Sequence, residues 1–206
     1  MGVQGGNFSI HDGDDGTNQV RIDNMGSALQ AIEFEHHEIH DGDMYVAWTL
    51  DESIGTGDGS DLVLAFKTNS DAATTIYKHM QVSWACKAAA HLDIVEAPTW
   101  TAQTGSDVVI YNRERNSGNT TTVLQNESDA AFTDYNSMIK NPASFAGGTI
   151  IWQDYSFAGK KDDSDRSRQG NEIVLKANTT YGIRVVPDAA DNGVFLRTNF
   201  YELENR

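Results

Sequence analysis

The chain has 206 residues, 39% hydrophobic and 9% aromatic, which is apolar material for one generous core and excludes an intrinsically disordered protein. Thirty acidic residues against fifteen basic give a formal charge of −15, so direct nucleic-acid and membrane partners are not expected. The one cysteine, Cys86, excludes an intramolecular disulfide and a multi-cysteine zinc site, and is expected to pack as a small hydrophobe.

No apolar run approaches the ~18 residues that span a bilayer. The opening MGVQGGNFSI lacks the basic-then-apolar order of a secretion signal. A reducing cytoplasm, or assembly there into something larger, is the expected setting.

Residues 1–28 are rich in Gly, Asn and Asp and read as an extended arm. Their few apolar residues, Phe8, Ile10, Val20 and Ile22, can bury little alone but are enough to anchor on a neighbour. From Leu29 the texture changes, and residues 29–206 read as one domain. Ile32, Phe34 and His36 fall on one side of an extended strand, Glu33, Glu35 and His37 on the other.

The stretch EHHEIHDGD, Glu35 to Asp43, then sets three histidines and four acids in nine positions. A zinc-protease helix needs HExxH, whose four-residue step stacks both imidazoles on one face; HEIH is one residue short. On a strand His36 and His40 would share a face with Glu38, but a ~3.3 Å rise per residue spreads alternate side chains too far apart for a tight site. Completing one would need His79 or His91. A polar strand end at a subunit contact is the favoured reading.

Downstream, Met44, Val46, Trp48 and Leu50 alternate with Tyr45, Ala47 and Thr49, a half-buried strand. DLVLAFK follows a Gly/Asp/Ser loop. TIYKHMQVSWACK places Ile76, Lys78, Met80, Val82, Trp84 and Cys86 on one side, with only Lys78 out of character. AHLDIVEA, DVVIYN, NTTTVL, TIIWQDY, EIVLKA, TYGIRVV and GVFLRTNFYEL continue the pattern of short β-branched and aromatic runs between turn residues. Only SDAAFTDYNSMIK, with Ala131, Tyr135, Met138 and Ile139, has helical spacing. Ten or so strands without intervening helices predict an all-β, single antiparallel sandwich.

Calcium-loop patterns fail: Asp12 and Asp14 match an EF-hand start, but Gly16 and Thr17 break it, and TGDGSDLV (with Asp58 and Asp61) is one unrepeated unit. No nucleophile elbow, phosphate loop or dinucleotide fingerprint is present. No enzyme activity, cofactor or metal is expected.

The order ALQAIEFEHHEIHDGDMY, VVIYNRERNSGN, GTIIWQDYSFAGKK, EIVLKANTTYGIRVV and a closing NFYELENR resembles the head decoration, or cement, proteins of tailed bacteriophages. The resemblance spans residues 28–206 and is most specific at EHHEIHDGD, YNRERNS and Asn178–Tyr181. Phe200 and Leu203 stand where the family often has Trp and His. The resemblance implies a jelly-roll-like sandwich, a homotrimer, and the major capsid protein as partner. It also implies a place on the outer surface of the virion after assembly in the host cytoplasm. His36, His37 and His40 then become candidates, with the arm residues, for capsid or subunit contacts. The alternative is a phage fibre or host-recognition module that binds carbohydrate, with Trp100 in APTWTAQTG as the stacking residue.

Overall fold

The computed structural model describes residues 39–40, 42–56, 61–68, 76–101, 104–119, 124–125, 138–157 and 172–204. These form β1 (Met44–Ile54), β2 (Leu62–Thr68), β3 (Ile76–Cys86), β4 (Ala90–Glu96), β5 (Ser106–Val108) and β6 (Ile110–Asn112). They continue with β7 (Leu124–Gln125), β8 (Met138–Lys140), β9 (Thr149–Ser156), β10 (Glu172–Leu175), β11 (Thr180–Pro187) and β12 (Asn192–Glu204).

The strands build two antiparallel sheets, the sandwich that their short β-branched runs predict. The first runs β10-β3-β12-β1-β6; the second runs β5-β8-β2-β11-β4-β9, with β7 beside β2. The first four strands pair in nested order with the last four: β1 with β12, β2 with β11, β3 with β10 and β4 with β9. The short β5, β6 and β8 fall between these halves in sequence. They extend both sheets on the flank away from β9 and β10.

The core lies between the sheets. Leu62, Leu64 and Phe66 of β2, Ile183 and Val185 of β11, and Leu92 and Ile94 of β4 face Met80, Val82, Val194, Leu196 and Phe200 across it. Phe66, 1% exposed, ties the two layers together. Its ring stacks on Tyr181 at 5.8 Å and meets the edge of Phe200 at 5.4 Å. The side of β3 marked by Met80 and Val82 faces this core, with Trp84 and Cys86 packed half-buried against it. Lys78 is buried on the same side.

Two details differ from the pattern reading, and a third settles what it left open. Ile39 and His40 have helical backbone rather than strand, and the Gly42 N–H closes the turn on the Ile39 carbonyl at 3.2 Å. Met138 and Ile139 belong to β8, not a helix, and are buried on opposite faces of their sheet. The rest of Ser128–Lys140 lies outside the described residues. On β1 the side facing the core is Tyr45, Ala47 and Thr49, leaving Trp48 and Leu50 outside.

Candidate assembly surfaces

The end of EHHEIHDGD meets YNRERNSGN, 70 residues away in sequence. Asn112 donates through Nδ2 to the carbonyls of Gly42 (2.8 Å) and Asn119 (3.2 Å). The Arg113 N–H donates to the Met44 carbonyl at 2.9 Å, and its guanidinium reaches the Met44 sulfur at 3.0 Å. Within the loop, Asn112 Oδ1 accepts from Glu114 N–H and Glu114 Oε1 from Asn116 N–H. Gly42 has φ +80°, and a Cβ there would lie 2.6 Å from Ser117 Oγ, so the turn takes glycine for both torsion and space. The two motifs form one interlocked polar corner where β1 begins.

His40 is exposed beside that corner. His36, His37, Phe8, Ile10, Val20 and Ile22 lie outside the described residues, as do Asp12, Asp14 and Asp58. Asp61 lies 4.0 Å from Arg184, an ion-pair geometry. His79 and His91 sit on the outer faces of opposite sheets, since their neighbours Met80, Leu92 and Ala90 point inward. They therefore do not converge on one site. Among the described residues no group of three or more His, Cys, Asp or Glu is arranged to hold a metal ion.

The Asn178–Tyr181 segment is a structural lock. Asn178 takes the left-handed conformation (φ 50°) that asparagine tolerates, turning the chain from β10 into β11. Thr68 Oγ1 donates to the Lys176 carbonyl and accepts from the Thr179 N–H. The Tyr181 hydroxyl accepts from the Lys176 N–H at 2.9 Å and donates to Glu96 Oε2 at 3.2 Å. Burial, with the Glu96 carboxylate beside it, pushes this phenol up to about 12, so it stays a donor. Tyr181→Phe leaves the Lys176 amide without its acceptor. It should cost about 1–3 kcal/mol in urea unfolding.

A second cluster crosses the outer face of the first sheet. His79 Nδ1 hydrogen-bonds Glu172 Oε1 at 2.5 Å, and its ring stacks on Tyr201 at 4.7 Å. Burial pushes Glu172 up, but hydrogen bonds from Tyr201, His79 and Gln81 outweigh it and hold the carboxyl below its ordinary value of 4.5. A carboxyl lowered by folding adds stability above its unfolded pKa and loses it as pH falls through the folded one. Wild type should therefore exceed Glu172→Gln in melting temperature at pH 7, and the gap should close below pH 4.5. A gap that widens in acid would contradict this arrangement.

Among the described residues, exposed large apolar side chains gather on two further surfaces. One surface lies outside β6, β1 and β12: Val109, Tyr111, Trp48 (51% exposed), Leu50 and Phe195. Trp48 and Phe195 have ring centroids 6.3 Å apart. The other follows the free edge strand β9 with Ile150, Ile151, Tyr155 and Phe157 (68% exposed). There Tyr155 lies against His91 at 5.5 Å and Phe157 at 6.5 Å. Trp100, by contrast, is half-buried with its indole nitrogen enclosed, unlike a stacking platform.

Sequence alternation marked β1 as half-buried but not which half. With large apolar residues on both sides of the strand, the signal for an exposed Trp48 is absent from the pattern. Compared with known proteins, the chain matches no family model, no curated protein and no solved structure.

Proposed function

We propose that the chain is a structural decoration protein of a tailed-phage head, without catalytic activity. It binds the major capsid protein as a homotrimer on the outer surface of the shell and stabilises it. The observation that carries this reading is the exposure of nine large apolar side chains in two groups on a sandwich of charge −15. A solitary protein rarely leaves such patches open; an assembling one covers them. The order of the motifs supports the same reading, and the strong negative charge suits a protein that coats a DNA-filled shell without competing for its genome. The nested pairing of β1–β4 with β9–β12 favours a jelly-roll winding with β5–β8 as an insertion.

Emptied heads of the encoding phage, stripped of the protein and incubated with purified chain, should pellet with it to saturation. Failure to bind at tens of micromolar protein would sink the proposal. The competing reading, a carbohydrate-binding fibre module, draws on the exposed rings of Tyr155 and Phe157, with half-buried His91 stacked behind Tyr155. A glycan array on which wild type binds and Phe157→Ser does not would favour it.

A further inference from the structure

The outer face of the first sheet is closed at one end and open at the other. Along the outward row of β1, Met44 is 0% exposed and Val46 half-buried, while Trp48 and Leu50 are each 51% exposed. β12 repeats the gradient: Tyr201, paired with Met44, is 3% exposed, and Phe195, paired with Leu50, is 37%. Tyr111, across from Val46 on β6, adds a further exposed ring. The closed end is where the chain enters β1, and residues 1–38 join the described chain there, at Ile39.

Composition narrows what in this chain can cover the open part. Of the segments outside the described residues, only 1–38 and 126–137 hold an aromatic ring or an aliphatic side chain larger than valine. The second is tied at both ends to the other sheet, through β7 and β8. The first joins the chain beside this face. Its residues 29–38 reach about 33 Å when extended, against about 20 Å along β1 from Met44 to Leu50.

The same residues alternate as a strand does, with Ile32 and Phe34 on one side and Glu33 and Glu35 on the other. With Glu38 they carry three acids and no Lys or Arg. The face holds Arg197, opposite Trp48 in the strand register, and Arg115, whose guanidinium lies 5.5 Å from the Tyr111 ring centroid. Among the described residues, the hydrogen bonds of these two arginines go to neutral groups, Ser83 Oγ and the Asn112 carbonyl. An acidic segment with an apolar side suits such a face in both charge and pattern.

We propose that residues 29–38 fold back over the outer face of the first sheet of their own molecule, seating Ile32 and Phe34 on Trp48, Leu50 and Phe195. The segment shelters an apolar face that, left open, invites indiscriminate association before assembly. Being joined to the same sheet, it meets this face at a high effective concentration and needs no second copy. The cover belongs to the free chain, so it stands or falls apart from decoration.

Photo-cross-linking of the full chain tests it. A benzophenone amino acid replaces Phe34, and chains made with light and with heavy nitrogen are mixed in equal amounts. Irradiation should join position 34 to the peptides of β1 or β12 that hold Trp48, Leu50 or Phe195, always within one isotope. Separately, hydroxyl-radical labelling of Trp48 should be several-fold stronger in Ile32→Ser/Phe34→Ser than in wild type, with Phe157 unchanged. Cross-links that miss these peptides would overturn the proposal. So would links between light and heavy chains, which would give the face to a neighbour's segment. Equal labelling of Trp48 in both proteins would also overturn it; if the double variant folds poorly, the cross-link decides alone. Heads that take up a chain without this cross-link leave decoration standing, and a cross-linked chain that no head binds leaves the cover standing.

Discussion

Arg184→Met is expected to destabilise the protein by about 3 kcal/mol or more. Its guanidinium bonds Asp93 Oδ2 through Nη2 at 2.5 Å and Nε at 3.2 Å. Asp93 is 0% exposed, on the covered outer side of the second sheet. Gln153 Nε2 still donates to Asp93 Oδ1 at 2.8 Å, but an amide carries no charge. Methionine in place of arginine therefore strands a carboxylate out of water. Adding Asp93→Asn removes that charge, so the double variant should recover part of the loss. Denaturant unfolding of all four proteins measures the coupling; strict additivity would show that the pair is not what holds this site.

Phe66→Ala should cost about 3–5 kcal/mol, a large share of a domain's usual 5–15. The ring sits where β2, β11 and β12 meet, touching Tyr181 in its own sheet and Phe200 in the other. Its loss opens a cavity between layers that a sandwich pinned by long strand ladders cannot close. Differential scanning calorimetry should show a melting temperature lowered by several degrees or more. A change within one degree would mean the layers are held together elsewhere.

The long strands were legible because their residues suit a pleated sheet: β-branched and aromatic, bounded by Gly, Asn and Asp. The inward side of β3 was readable too, through Met80, Val82 and Trp84. DVVIYN read as one strand, yet it divides between β5 in the second sheet and β6 in the first, and Leu124 of NTTTVL falls in β7; so short a run has no period to fix its ends, and the three-residue β8 was missed altogether. Met138 and Ile139 fitted a helical spacing by chance and are strand because β2 and β5 pair around them. His40 looked like a strand position, but the Gly42 turn ahead of β1 needs helical backbone before it.

The candidate surfaces were harder still. The His79, Glu172 and Tyr201 cluster draws one residue from each of three strands, with 93 positions between the first two. Only strand order brings them together. The Trp48 surface depends on which side of β1 turns inward, decided by Tyr45 and Ala47 fitting opposite the second sheet. The joining of EHHEIHDGD to YNRERNSGN was invisible as a contact, yet these were the segments whose resemblance stood out. Their polar corner gives a physical reason for both to be specific: each supplies the partners the other's backbone needs.

The central claim is that this chain is a coat component of a virus particle. Quantitative mass spectrometry of purified particles from the encoding phage, before and after limited surface labelling, tests it most directly. The account predicts the chain in fixed ratio to the major shell protein, with surface label on it in intact particles. Its absence from the particles, or a few copies confined to the tail, would contradict the account.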